Sequence, residues 1–159
     1  MTTCGLSVIM PCFNGARFLA GAVDTVRRQT ALPESYRIIV IDDGSTDDSV
    51  TVAQNLGGDV VVLQRPNGGP AAARNTGLEH ADSEFIAFLD VDDLWPANKL
   101  ELQFGAFEDD PDLDICLGLI GYQTLDDREL PDIDFGPQNS LMHVHLGSGL
   151  YRQRAFERV

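Results

Sequence analysis

Apolar and polar positions along this chain fall into short blocks with two alternating rhythms. Leu6 to Met10, Ile38 to Ile41, Val60 to Leu63 and Phe85 to Leu89 are near-continuous apolar runs. Runs of that length with polar borders read as strands buried on both faces. Pro11 is expected to stop the first, because proline offers no amide to a ladder. Between the runs the rhythm becomes helical. Phe18, Ala22 and Val26, widened by Leu19 and Val23, make one stripe from Ala16 to about Gln29. Ser45 with Asp48 three residues on resembles a capping box, so a helix is expected to begin near Thr46 and to end at Gly57-Gly58. Pro70 suits the first position of a third helix reaching about His80, whose alanines 71–73 allow close approach to a sheet. Trp95-Pro96 opens a fourth, with Leu100, Phe104 and Phe107 as its stripe.

Four strand–helix repeats predict an α/β fold, a doubly wound, mostly parallel sheet with right-handed crossovers. Beyond Asp112 the pattern weakens. Residues 114–120 and 142–150 read as strands, 126–136 as an acidic, proline-containing loop, and 151–159 as a helix.

Composition narrows the partners. The 159 residues include 25 acidic and 11 basic side chains, a formal charge of −14. Such a surface repels nucleic acid and anionic membrane, so no nucleic-acid partner is expected. It also repels a nucleotide diphosphate, unless a cation or a few well-placed basic groups intervene. Cys4, Cys12 and Cys116 form neither a disulfide framework nor a zinc pattern. With no signal-peptide pattern and no span-length apolar run, the expected location is cytoplasmic, or peripheral at the inner membrane face if another component recruits the chain.

The chemistry gathers where strands end. The fourth run stops in Asp90-Val91-Asp92-Asp93, and the second in Asp42-Asp43-Gly44-Ser45. In an open parallel sheet, ligands bind outside the carboxyl ends of the strands. If strand geometry persists, Asp90 and Asp92 share a side and would hold a hard cation, Mg²⁺ or Mn²⁺. An acidic turn that merely ends a strand has the same sequence. Arg74 and Asn75, one turn into the third helix, face phosphate or simply solvent. Arg27 and Arg28 suit a helix carboxyl end.

Several stretches together resemble family 2 glycosyltransferases: Ser7 to Gly15 (SVIMPCFNG), Ile39 to Asp47 (IVIDDGSTD), Asn67 to Gly77 (NGGPAAARNTG) and Phe88 to Trp95 (FLDVDDLW), in that order, followed by Gly149 to Val159. The resemblance implies a GT-A fold, a Rossmann-like domain for a nucleotide-diphospho-sugar. It implies one such domain over 1–159, with 1–111 binding the nucleotide-sugar and 112–159 forming an incomplete acceptor-side part. Pro11 and Asn14 would line the nucleotide pocket, and Asp43 would contact the base while Asp42 braces its turn. Asp90 would lie near ribose and metal, Asp92 would be the direct ligand of Mg²⁺ or Mn²⁺, and Arg74 would lie near the phosphates. Asp93 is expected to turn away from Asp90 and Asp92. The implied reaction moves a sugar, from a UDP-sugar by family weight, to a saccharide or other hydroxyl acceptor, with inversion and metal dependence.

The family's catalytic base usually lies in a motif beyond the segment corresponding to Val159, so no base is identified. Asp126, Asp127, Glu129, Asp132 and Asp134 are the acidic candidates within the chain. His143 and His145 would share a strand face, and a late histidine can serve as an extra metal ligand in GT-A enzymes. A catalytically incomplete nucleotide-sugar-binding module, self-associating through an uncovered carboxyl-terminal side, is the alternative. A nucleotidyltransferase fits less well, since Pro11 to Gly15 stands where a glycine-rich phosphate loop belongs.

Overall fold

The apolar runs pair as parallel strands at the centre of one sheet. The structure, a computed structural model, describes residues 4–118 and 145–157. In chain order its elements are β1 (Cys4–Cys12), α1 (Ala16–Arg27), β2 (Tyr36–Asp42), α2 (Ser49–Gln54), β3 (Val60–Gln64), α3 (Pro70–Glu79), β4 (Ser83–Phe88), α4 (Lys99–Asp109), β5 (Ile115–Leu117) and β6 (Gly149–Arg152). The strand order is β3-β2-β1-β4-β6-β5. β1 pairs in parallel with β2 and β4, and β2 with β3, while β6 runs antiparallel to both β4 and β5.

Strand parity sorts the core into two layers. Val8, Met10, Ile38, Val40, Ala87 and Leu89 point to one face, where Leu19, Val23 and Val26 of α1 and Leu100 and Phe107 of α4 cover them. Ile9, Ile39, Ile41, Ile86 and Phe88 point to the other, against α3. Helix α3 lies very close. A Cβ at Gly77 would come within 2.4 Å of Ile9 Cγ2 and 2.9 Å of Ile41 Cδ1. Ala73, one turn earlier, is fully buried. This close approach carries Arg74 to the sheet's carboxyl edge.

Four local expectations are corrected. Pro11 lies inside β1, opposite Ile41. The Ile9 carbonyl accepts from Leu89 at 3.1 Å, so Ile9 and, two residues on, Pro11 turn their backbone toward β4. The β1–β4 ladder ends at Ile9 and Phe88, so Pro11's missing amide falls where no neighbour needs it. Helix α2 starts at Ser49 rather than near Thr46. The Ser45 hydroxyl is occupied by the Asn14 amide at 2.9 Å, and Asp47 takes the Ser49 amide at 3.0 Å. The helix expected over 151–159 is instead β6 followed by a 3-10 turn, Gln153–Ala155. Leu150 and Tyr151 bury on opposite faces of the sheet. A segment this short satisfies its backbone better on the open edge of β4 than in an isolated helical turn. Residues 145–148 of the strand expected over 142–150 are also non-strand, and Leu146–Ser148 is a 3-10 turn. Among the described residues no helix is long and apolar enough to cross a membrane.

Candidate functional site

The chain leaves β1 toward β2 on one side and reaches β4 on the other, so the order reverses between β1 and β4. Ligand crevices of open α/β sheets form outside the strand ends at such a reversal. Here a cleft of ≈ 340 Å³ opens at that point. Pro11, Asn14, Asp43, Arg74, Asp90 and Asp92, the residues singled out from sequence, all line it.

Asp43 follows Ile39 and Ile41 in parity and faces the α3 side. Asp43 as a residue is only 3% exposed. It accepts from Arg65 Nη1 at 2.6 Å, from the Gly68 amide at 3.1 Å and from the Gly69 amide at 2.7 Å. Gly69 has φ +87°, a conformation that favours glycine and turns these amides inward. Asp42, of opposite parity, accepts weakly from the Ser45 amide at 3.3 Å across its own turn.

Asn14 joins two loops. It has φ +52°, and its Oδ1 accepts from the Thr46 amide at 2.8 Å. The amides that begin α1 are taken by the β2–α2 loop: Gly15 donates to Ser49 Oγ at 2.9 Å and Ala16 to Asp47 Oδ2 at 3.1 Å. The short contact of Asp47 with Ser49 lowers the Asp47 pKa. Beside Asn14, Phe13 presents a ring surface 53% exposed at the cleft.

Asp90 follows Ile86 and Phe88 in parity and meets α3, where Arg74 Nη2 donates to its Oδ1 at 2.6 Å. Beyond Leu89 the strand does not persist. The Asp93 amide donates to the Asp90 carbonyl at 3.0 Å, closing a turn. This turn overturns the expectation that Asp93 faces away. Ligand atoms of Asp90, Asp93 and His145 lie within 4.8 Å of one another, whereas Asp92 lines the cleft from an exposed position outside that group. Asp93 keeps much surface in solvent, yet loss of hydration, then the charges of Asp90 and Asp92, raise its pKa, opposed by His145.

Sequence reasoning did not single out Phe13, Arg65 or the glycine amides for the site, and it set Asp93 aside. Only strand parity and the turn could have signalled them. Asp126, Asp127, Glu129, Asp132, Asp134 and His143 lie outside the described residues.

Among the described residues, carboxylates Asp90, Asp92 and Asp93 outnumber the one guanidinium, Arg74, that contacts them. A set of hard oxygen donors with surplus negative charge fits Mg²⁺ or Mn²⁺. Anion-binding groups stand beside it. Among the described residues the buried Arg74 Nε has no partner. Helix α3 has no side-chain cap, and Pro70, which has no amide, stands in its first turn beside the cleft, so the remaining first-turn amides have no acceptor from their own cap.

Residues 7–158 match the family model described as Glycosyl transferase family 2. An uncharacterized glycosyltransferase of Rickettsia prowazekii is 31% identical over 123 residues, covering 77% of this chain and 38% of that protein. The UDP-Glc:alpha-D-GlcNAc-diphosphoundecaprenol beta-1,3-glucosyltransferase WfgD of Escherichia coli is 38% identical over 100 residues, covering 62% of this chain and 39% of its own. The crystal structure of S. aureus TarS 1-349 superposes with TM-score 0.73 and 26% identity, covering 97% of this chain and 48% of that one. The mannosyltransferase PcManGT of Pyrobaculum calidifontis, in complex with GDP-Man and Mn²⁺, shares the fold at TM-score 0.76 and 22% identity, covering 96% of this chain and 46% of that one. The chain therefore spans less than half the length of these relatives.

Proposed function

The chain belongs to glycosyl transferase family 2, and from that premise we propose that it binds a nucleotide-diphospho-sugar in the β1–β4 cleft and takes part in sugar transfer to a hydroxyl acceptor. The observation that carries this reading is the pairing, in one cleft, of an acidic turn at Asp90–Asp93 with Arg74 and the uncapped start of α3. A nucleotide diphosphate needs a cation on one side and donors on the other, and this cleft has carboxylates to hold the first and Arg74 to supply the second.

Each residue has a distinct task in this proposal. The Phe13 ring offers a stacking surface for the nucleobase. The Asp43 carboxylate, each oxygen taking two contacts from Arg65, Gly68 and Gly69, braces the Gly68–Gly69 turn at the cleft end where the base would sit. The substrate named for the E. coli relative supports a UDP-sugar. Arg74 and the α3 amides hold the diphosphate oxygens, and Asp90 and Asp92, with Asp93 beside them, would hold Mg²⁺ or Mn²⁺. When bound, such an ion supplies Lewis-acid stabilisation of the leaving diphosphate. Transfer by inversion also needs a base within hydrogen-bond reach of the acceptor hydroxyl. Among the described residues, the cleft's carboxylates are Asp43, Asp90 and Asp92, all on the donor side. Free Cys12 and Cys116 suit a reducing, cytosolic setting. Ile115 and Leu117, exposed on β5, support self-association through the carboxyl-terminal side, which sedimentation would test.

Calorimetric titration of UDP and GDP, with and without Mn²⁺, tests the reading. The expected result is UDP binding that requires metal and weakens about 100-fold or more in Asp90→Asn and in Asp92→Ala, the cost of an unpaired charge at a bound phosphate. Metal-independent or absent binding in the unsubstituted chain would refute it. A loss in Asp93→Ala with none in Asp92→Ala would move the ligand role to Asp93.

A further inference from the structure

We infer that His145 is a positioning residue for Asp90 and stays outside the ion's ligand set. The inference rests on the metal-dependent donor site proposed above. Distance alone would admit the imidazole as a ligand, since its Nε2 lies 3.6 Å from Asp90 Oδ2 and it groups with Asp90 and Asp93. Proton accounting decides otherwise. A backbone amide can only donate, and the Gly147 amide donates to His145 Nδ1 at 3.1 Å. Nδ1 is therefore the lone-pair nitrogen, and the proton of the neutral ring sits on Nε2. A ligating nitrogen must present a lone pair to the ion. Nε2 has none while Nδ1 accepts from Gly147, and a doubly protonated ring would have no acceptor for that amide at all.

The backbone around the ring is tied down. The His145 carbonyl accepts from the Ser148 amide at 2.9 Å and from the Ser148 hydroxyl at 2.8 Å. The Ser148 carbonyl in turn accepts from buried Gln103 Nε2 of α4 at 2.8 Å and from the Gly118 amide at 3.0 Å. Lys99 Nζ, also on α4, donates to the Gly149 carbonyl at 3.2 Å. Releasing Nδ1 from Gly147 would disturb a turn anchored to α4 by two side chains.

Asp90 thus has a charged donor on one oxygen and an imidazole close to the other. Arg74 Nη2 donates to Oδ1, and His145 Nε2 lies 3.6 Å from Oδ2. At 3.6 Å this second contact exceeds hydrogen-bond length and acts as a dipole on a charge. It orients the carboxylate while leaving its other lone pairs toward the cleft. The protein's ligands to the ion are then oxygen atoms, which suits Mg²⁺ as well as Mn²⁺. Among the described residues, the carboxyl-terminal part of the chain reaches Asp90 through this ring.

The test is spectroscopic. In the ¹⁵N-labelled chain without metal, a long-range ¹H–¹⁵N spectrum at neutral pH reads which ring nitrogen of His145 carries the proton, with His145→Gln identifying the signals. The Nε2–H tautomer is expected; an Nδ1–H or doubly protonated ring overturns the inference. With Mn²⁺ and UDP added, electron spin echo modulation should show no directly coordinated ring nitrogen, and finding one overturns it. His145→Ala should weaken Mn²⁺ about 10-fold, as loss of an outer-shell partner does; unchanged affinity overturns the positioning role. If the unsubstituted chain binds neither ion nor nucleotide, the donor-site reading fails by itself, while the tautomer still judges the proton assignment.

Discussion

The cleft has two walls built on opposite electrostatic terms. On the β1–β2 wall, the amides of Asn14, Gly15 and Ala16 are met by Ser45, Ser49 and Asp47, and Asn14 returns a bond to Thr46. The start of α1, a natural anion site, is thereby closed by the protein's own oxygens. On the β4–α3 wall, among the described residues, three carboxylates meet one guanidinium, a buried Arg74 Nε has no partner, and α3 starts without a side-chain cap. A wall whose polar groups are mutually satisfied acts as scaffold. A wall left with surplus charge and open donors has free energy to gain from a ligand.

The largest expected effect tests the charged wall's footing. Lys99 stands under the β4 loop, its Nζ over the Trp95 ring at 4.2 Å, and burial lowers its pKa from 10.5 to about 7, with the Cys116 charge opposing. An unfolded chain then binds more protons than the folded one between those values. The Lys99 contribution to stability should be fully present above about 10.5 and be lost as the pH drops toward about 7, by on the order of a few kcal/mol at ~1.4 kcal/mol per unit, while Cys12, Cys116, Tyr36 and Tyr151, whose pKa values burial raises, act in the opposite direction at the alkaline end. Urea unfolding across that window checks it, and Lys99→Met should flatten the slope; an equal slope in the variant refutes the assignment.

Next is Arg74→Met, which leaves Asp90 without its charged partner. Losing a bond to a charged group costs roughly 1.5–3 kcal/mol, so UDP affinity in Mn²⁺ should fall about 10- to 100-fold. A smaller loss than in Asn14→Ala would reverse the assignment of scaffold and binding walls. Asn14→Ala should cost stability, about 1–2 kcal/mol from the lost Thr46 bond and the positive φ, with little change in metal affinity. Asn14→Gly should recover the φ component alone, as seen in thermal unfolding. Arg28→Ala, which breaks an exposed pair with Asp24 on α1, belongs to neither wall and should move stability by under about 0.5 kcal/mol. A larger shift would show that long-range charge, rather than the two walls, governs this fold.

The sequence alone determined the parallel strands, their helices and the carboxylates and proline at the strand ends. These are local signals: a buried strand is a short apolar run, and its parity already assigns Asp43 and Asp90 to the α3 side. What the sequence could not carry was any pairing between distant segments. Pro11 looked like a strand stop because one cannot read from Leu6–Cys12 that β4 has already departed on that side. Tyr151 onward looked helical because the vacant edge of β4 is invisible in a linear pattern. Asp93 was set aside because the two-residue period holds only while a strand lasts, and here a turn replaces it after Leu89. His145 shows the limit most plainly. Its spacing suggested a strand face, yet tertiary structure brought it to Asp90 from 55 residues away, and a single backbone amide, that of Gly147, takes its Nδ1 as acceptor.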